Sequence, residues 1–153
     1  MMEARALYLL EHPDTRLFRA GGCHVFALAL RSLYGYPLLW VKEDGNRYDH
    51  VACDAGGGHV LDFFGTFTYG EYVRSEKLRS RPIEFKPIEE ADVRGRFVLG
   101  DDRGYYAHPD FMLPATERAN SWIMKHHKYF DGTKRCAIPG VSRVEVANLN
   151  EIL

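Results

Sequence analysis

An α+β fold, with a buried helix packed on a small antiparallel sheet, is predicted by three features of the sequence. Cys23 to Tyr34 is an almost unbroken apolar run closed by Gly35 and Pro37. Short strand-like segments separated by tight turn signals follow it directly. A second helical pattern, with Ala115, Ala119, Trp122, Ile123, His126 and Phe130 on one face, comes late in the chain. Strands joined by tight turns pair antiparallel, and helices segregated from them must cover the sheet, which is the α+β solution.

Taken in order, Glu3 to Glu11 reads as a short helix stopped by the turn signal His12-Pro13-Asp14, after which a loop delivers Gly21 and Gly22. The run from Cys23 to Tyr34 is apolar on most of its circumference, so this helix belongs inside the core rather than on its surface. Leu38 to Lys42 is a strand, Glu43-Asp44-Gly45-Asn46 a turn, Arg47 to Asp54 a second strand and Gly58 to Phe64 a third. Gly56-Gly57-Gly58 marks the reversal between the last two. Gly70 to Leu78 is expected to be helical, Pro82 to Ile88 extended, Arg96 to Leu99 a short strand and Gly100 to Gly104 a turn. Ala115 to Phe130 forms the late helix, closed by Asp131-Gly132, and Val141 to Val146 is a candidate final strand.

The 153 residues carry no internal repeat or linker, so residues 1–153 are expected to form a single domain. At that size folding buries roughly 68–70% of the unfolded surface without a covalent staple. A composition of 46% hydrophobic and 27% charged residues belongs to a globular protein rather than a disordered one. The formal net charge of −1 gives no global reason to bind nucleic acid or an anionic membrane. No window approaches the roughly 18 apolar residues of a membrane span, and the N-terminal residues lack the apolar core and cleavage site of a signal peptide. Three dispersed cysteines, Cys23, Cys53 and Cys136, argue for free thiols and hence for the reducing cytoplasm. Oligomeric state is not legible.

Cys23 stands at the head of the apolar helix. The first N–H groups of a helix have no intrahelical partners and its peptide dipoles place partial positive charge there, so a thiolate is favoured. With an imidazolium nearby, such placement brings a thiol from about 8.5 to roughly 3.5–7.5. Gly21 and Gly22 tolerate positive φ and leave room for a substrate to approach the sulfur. The competing reading is a small buried core residue.

The segment Asp49-His50-Val51-Ala52-Cys53-Asp54-Ala55-Gly56-Gly57-Gly58-His59-Val60-Leu61-Asp62 supplies candidate partners. With a three-residue loop Ala55-Gly56-Gly57, Cys53 pairs with His59 and His50 with Asp62, close enough for a carboxylate to orient an imidazole. A two- or four-residue loop slips that pairing by one and moves Asp62 to the other face. The competing readings are a His50 that bonds a backbone carbonyl and an Asp62 that faces water, and His59 is a rival base, although alternation sets it on the face opposite Asp62.

Cys23 at the head of a buried helix, His50 on a strand and Asp62 on the next resembles the Cys-His-Asp order of papain-like thiol enzymes. It is most similar to the transglutaminase-like and NlpC/P60-like branches, over about Gly21 to Gly65. The resemblance implies a papain-like fold and a thiol hydrolase or acyltransferase, a cysteine peptidase first among them. Cys23 would be the nucleophile, His50 the proton shuttle and Asp62 the orienter, passing through a thioester on an amide, isopeptide or other acyl group of a peptide or protein substrate. No cofactor is implied. The Cys23 N–H would serve the oxyanion. Papain-like peptidases also carry a glutamine shortly before the nucleophile, where this chain has Leu17-Phe18-Arg19-Ala20; Arg19 and Tyr8 are the candidate replacements.

A metal site is a weaker reading, since there is no C-x-x-C or H-E-x-x-H, and adjacent His126 and His127 diverge on a helix. The aromatic stretch Gly104 to Phe111 either lines a cleft or packs between elements, packing being the commoner use. Arg94, Arg96 and Arg103 interleave with Asp92, Asp101 and Asp102 as a mixed-charge surface. The alternative function is a non-catalytic protein-binding module on an α+β scaffold.

Overall fold

The computed structural model describes residues 8–20, 22–43, 49–75, 83–94 and 109–141. Among them it is an α+β structure: helices around one open five-stranded sheet, every adjacent strand pair antiparallel. Helix α1 spans Asp14–Ala20 and α2 Cys23–Tyr34; strand β1 is Leu38–Glu43, β2 Asp49–Gly56, β3 His59–Asp62 and β4 Gly65–Thr68. Helix α3 (Tyr69–Ser75), strand β5 (Ile83–Ile88), helix α4 (Glu90–Arg94) and helix α5 (Pro109–Lys125) follow. The strand order is β4-β3-β2-β1-β5. No helix among the described residues is long and apolar enough to cross a membrane.

Helix α2 is the hub. Every residue from His24 to Leu30 is buried, as a helix apolar on most of its circumference requires, and it packs on β2 on one side and on α5 on another. Phe26 meets Phe18, Phe63 and Phe130, its ring centroid 5.1–5.5 Å from theirs. Aromatic clusters of this kind contribute about 0.5–1.5 kcal/mol per pair beyond their area burial.

Three local features depart from the sequence reading. The stretch before the glycines is helix α1 rather than loop; Leu17 and Phe18, both buried, give it the apolar side it needs. The run Gly58 to Phe64 is not one strand, because Asp62 pairs with Gly65 and the chain reverses over Phe63-Phe64 to add β4. Unbroken hydrophobicity conceals that turn. Helix α5 begins at Pro109, where a proline is tolerated at a helix start, and ends at Lys125, with His127–Tyr129 forming a 3-10 turn. Phe111 is fully buried on α5, so the described end of the aromatic stretch packs inward. The expected strand Arg96 to Leu99, the turn Gly100 to Gly104 and most of Val141 to Val146 lie outside the described residues.

The β2–β3 hairpin sets the site's register. Its turn is the two-residue pair Gly57-Gly58, with φ of 60° and 78°, the mirror-image conformation that matches strand twist. A bulge between Asp54 and Gly56 precedes it, giving the pairs Cys53↔Leu61 and Asp54↔Val60. The expected pairs His50↔Asp62 and Cys53↔His59 are therefore displaced by two residues. A shift of two preserves the alternation, so His50 and Asp62 keep a common face as diagonal neighbours.

Candidate active site

Cys23 is the first residue of α2, behind Gly22, which carries no capping side chain, and the first turn of α2 holds no acidic residue. The positive end of the helix and its unpaired N–H groups are thus left to whatever negative charge Cys23 bears. Gly22 is in ordinary backbone conformation, at φ −99°, so positive φ does not explain it. A β-carbon there would lie 2.9 Å from the Leu17 carbonyl oxygen, the oxygen that accepts the Gly22 N–H at 2.8 Å. Glycine lets the end of α1 close directly onto the start of α2, which fixes the direction in which Cys23 is presented.

His50 lies near the start of β2, opposite Val41 of β1, and is 6% exposed. Its Nε2 is 3.3 Å from Asp62 Oδ2. Asp62 ends β3 and is 4% exposed, so it does not face water. Its other oxygen, Oδ1, accepts the Phe64 N–H at 2.9 Å, tying the carboxylate into its own hairpin turn. That turn is held from two sides: Trp122 of α5 donates its indole N–H to the Phe63 carbonyl at 3.1 Å and stacks on the Phe63 ring, and the Ile138 N–H bonds the Phe64 carbonyl at 2.9 Å. Asp62 is consequently fixed before it meets the imidazole.

The helix and the hairpin converge. Cys23, His50 and Asp62 line one crevice with Phe18, Phe26 and Phe63, too narrow to admit a water molecule. Burial alone would raise the Cys23 thiol, but the His50 charge, a hydrogen bond from His24 and one from His50 outweigh it and bring the group down to about 5. Burial pulls His50 the other way, toward the neutral form; the Cys23 charge and the Asp62 hydrogen bond overcome this and push it up to about 10. The two directions describe one thiolate–imidazolium pair. Nε2 of His50 faces Asp62 Oδ2, and the same imidazole meets the Cys23 side chain. Cys23 itself is only partly covered, while the tilted ring of fully buried Tyr72 lies 6.0 Å from that of His50.

The other candidates fall elsewhere. His59 stands at the Gly57-Gly58 turn, its Nδ1 3.0 Å from the Gly57 carbonyl oxygen. Cys53 is fully buried, its thiol directed to the Ala27 carbonyl and pushed up by burial, opposite in character to Cys23. Cys136 is exposed. Tyr8 is 47% exposed and packs against His12 and Arg16, and Arg19 lies half-buried in the last turn of α1. The His126 ring lies tilted against that of Trp122, centroids 4.3 Å apart, while His127 is exposed, and no group of three potential metal ligands occurs among the described residues. Arg94 pairs with Glu90. His24 and Trp122 were not assigned to the site from sequence. The signal for His24 is a polar residue inside the apolar run; none singles out the indole of Trp122.

Comparison with known proteins finds no matching family model, no matching curated protein and no matching solved structure.

Proposed function

We propose that this protein is a thiol hydrolase or acyltransferase of papain-like design, acting on an amide, isopeptide or other acyl group of a peptide or protein. The observation that carries the reading is the buried His50–Asp62 pair, 3.3 Å apart, set against Cys23 at the uncapped head of α2. The thiolate attacks the substrate carbonyl carbon, and the carbonyl electron pair moves onto oxygen, where the Cys23 N–H stabilises it. As that pair returns, the bond to the leaving group breaks and the His50 imidazolium supplies the departing nitrogen or oxygen with its proton. The product is a thioester on Cys23. Neutral His50 then takes a proton from water, or from an acceptor amine, whose attack releases the acyl group and restores the thiolate. Asp62 holds the imidazole in orientation and stabilises its charged form throughout.

The three free cysteines fit a reducing compartment such as the cytoplasm. A small activated ester, p-nitrophenyl acetate, tests the chemistry without knowledge of the natural substrate. The expected result is a nitrophenolate burst with one acetyl group on Cys23, sensitive to hydroxylamine and abolished by Cys23→Ala. Acetylation confined to Cys136 or lysines, or none at all in the folded protein, would refute the enzyme and favour the non-catalytic binding module.

A further inference from the structure

Beside the catalytic crevice lies a larger opening. Val51 lines the crevice with Cys23, and its partner across the β1–β2 ladder is Trp40. Directly paired residues of antiparallel strands present their side chains on one face, about 4.5–5.5 Å apart. Trp40 in turn pairs with Lys86 of β5, and these two, with Pro87, Ile88 and the start of α4, line an open groove of about 550 Å³. The groove therefore begins one residue pair from the wall of the crevice. Two strand spacings, roughly 10 Å, separate β2 from β5, a distance that an extended peptide covers in about three residues.

The charges around the groove are unevenly matched. Glu84 Oε2 lies 3.3 Å from Lys86 Nζ and 3.7 Å from Lys42 Nζ, and Glu90 faces Arg31 and Arg94. Glu89 and Asp92, both exposed on the groove wall, are left without a cation among the described residues. On the floor, Trp40 already holds one ammonium, that of Lys42, 4.7 Å from its ring centroid. An aromatic and aliphatic floor beneath an acidic wall matches a side chain with an apolar stem and a cationic head.

Building on the thiol-hydrolase reading, we infer that this groove is a substrate subsite for a lysine or arginine side chain, about three residues from the carbonyl that Cys23 attacks. The stem lies on Trp40 and Ile88, and the cation meets Glu89 and Asp92. The side chain belongs to the acyl portion of the substrate, which stays on the enzyme as the thioester through both halves of the reaction. An acidic side chain at the same place meets two carboxylates and a lysine already paired, and is disfavoured.

The test uses tripeptide chloromethyl ketones, acetyl-Xaa-Gly-Gly-CH2Cl, from which the Cys23 sulfur displaces chloride. Xaa is arginine, norleucine or glutamate, the third residue from the reactive carbon. The rate of Cys23 alkylation, mapped by peptide mass spectrometry, is divided by the iodoacetamide rate of the same protein, which removes differences in thiol reactivity. Arginine is expected to outpace norleucine about tenfold, as one cation–π contact and one surface ion pair together allow, with glutamate slower than norleucine. The preference should shrink about threefold in Trp40→Leu, and likewise in a protein carrying Glu89→Gln with Asp92→Asn. Equal rates for the three probes, or an arginine preference that either variant retains in full, overturn the assignment. Failure of the thiol-hydrolase reading is separately visible as a Cys23 inert to iodoacetamide. The groove is then read in Cys23→Ala by the Trp40 indole N–H resonance, assigned with Trp40→Leu, which acetyl-Arg-Gly-Gly-amide should move and its glutamate counterpart should not. No movement with arginine, or equal movement with glutamate, overturns the subsite on its own.

Discussion

Replacing Asp62 with asparagine changes a charge while nearly preserving shape, and the surrounding geometry dictates how the amide must sit. Asp62 Oδ1 accepts the Phe64 N–H, so an asparagine must keep its carbonyl oxygen there and present its NH2 group to His50 Nε2. An NH2 group cannot accept from an imidazolium N–H. Full charges 3.3 Å apart interact by ~5 kcal/mol at an effective dielectric constant of about 20, an upper bound on what is lost. A charge-assisted hydrogen bond is worth a net of about 1.5–3 kcal/mol, and at 1.36 kcal/mol per unit the ion pair weakens by about one to two units. The loss falls on the His50 imidazolium, whose midpoint in Asp62→Asn should therefore drop from about 10 toward about 8–9. The imidazole C–H resonances of His50 followed across pH by NMR, assigned with His50→Ala, measure it directly, with thermal unfolding to show that the hairpin survives. A His50 midpoint displaced by less than about half a unit in a well-folded variant would refute the proposed coupling of Asp62 to His50.

Further outcomes follow from the same structure. Gly65 has φ +111°, and a β-carbon there would lie 2.7 Å from the Cys136 carbonyl oxygen; Gly65→Ala should cost about 1–3 kcal/mol in denaturant unfolding by forcing residues 136–138 away from β4. The stability–pH curve carries the mark of the ion pair. The His50 contribution is complete below its unfolded value of 6.5 and lost as pH rises toward about 10. The Cys23 contribution is complete above 9.0 and lost as pH falls toward about 5. Between 6.5 and 9.0 the two slopes cancel, because folded and unfolded forms bind equal numbers of protons, so the stabilisation contributed by the pair is level there and declines only outside that window. Cys23→Ala should abolish the acid-side loss between about 5 and 6.5, read by denaturation at a series of pH values.

Sequence periodicity reaches some of this and stops at identifiable places. The buried α2 helix was legible because the run from Cys23 to Tyr34 is apolar around its circumference, and β1 and β2 because turn residues bracket them. Helix α1 was hidden by its length, a single short amphipathic stretch in which Leu17 and Phe18 face inward. The β3–β4 turn was hidden because Phe63 and Phe64 are buried rather than polar, their carbonyls satisfied by Trp122 and the Ile138 N–H. Register was the weakest step: the bulge at Asp54 and Gly56 moved the pairing by two residues, an even number, so the shared face of His50 and Asp62 survived an incorrect alignment. Convergence of that face on Cys23 is a tertiary fact, set by the packing of α2 on β2.

The central claim is that the fold makes Cys23, and neither of the other two cysteines, a nucleophile. Site-resolved alkylation of the native protein near pH 6 measures this directly. Cys23 should react fastest, exposed Cys136 at an ordinary thiol's slow rate and buried Cys53 not at all, with the Cys23 advantage lost in His50→Ala. Cys23 reacting no faster than Cys136, or equally fast without His50, would contradict it.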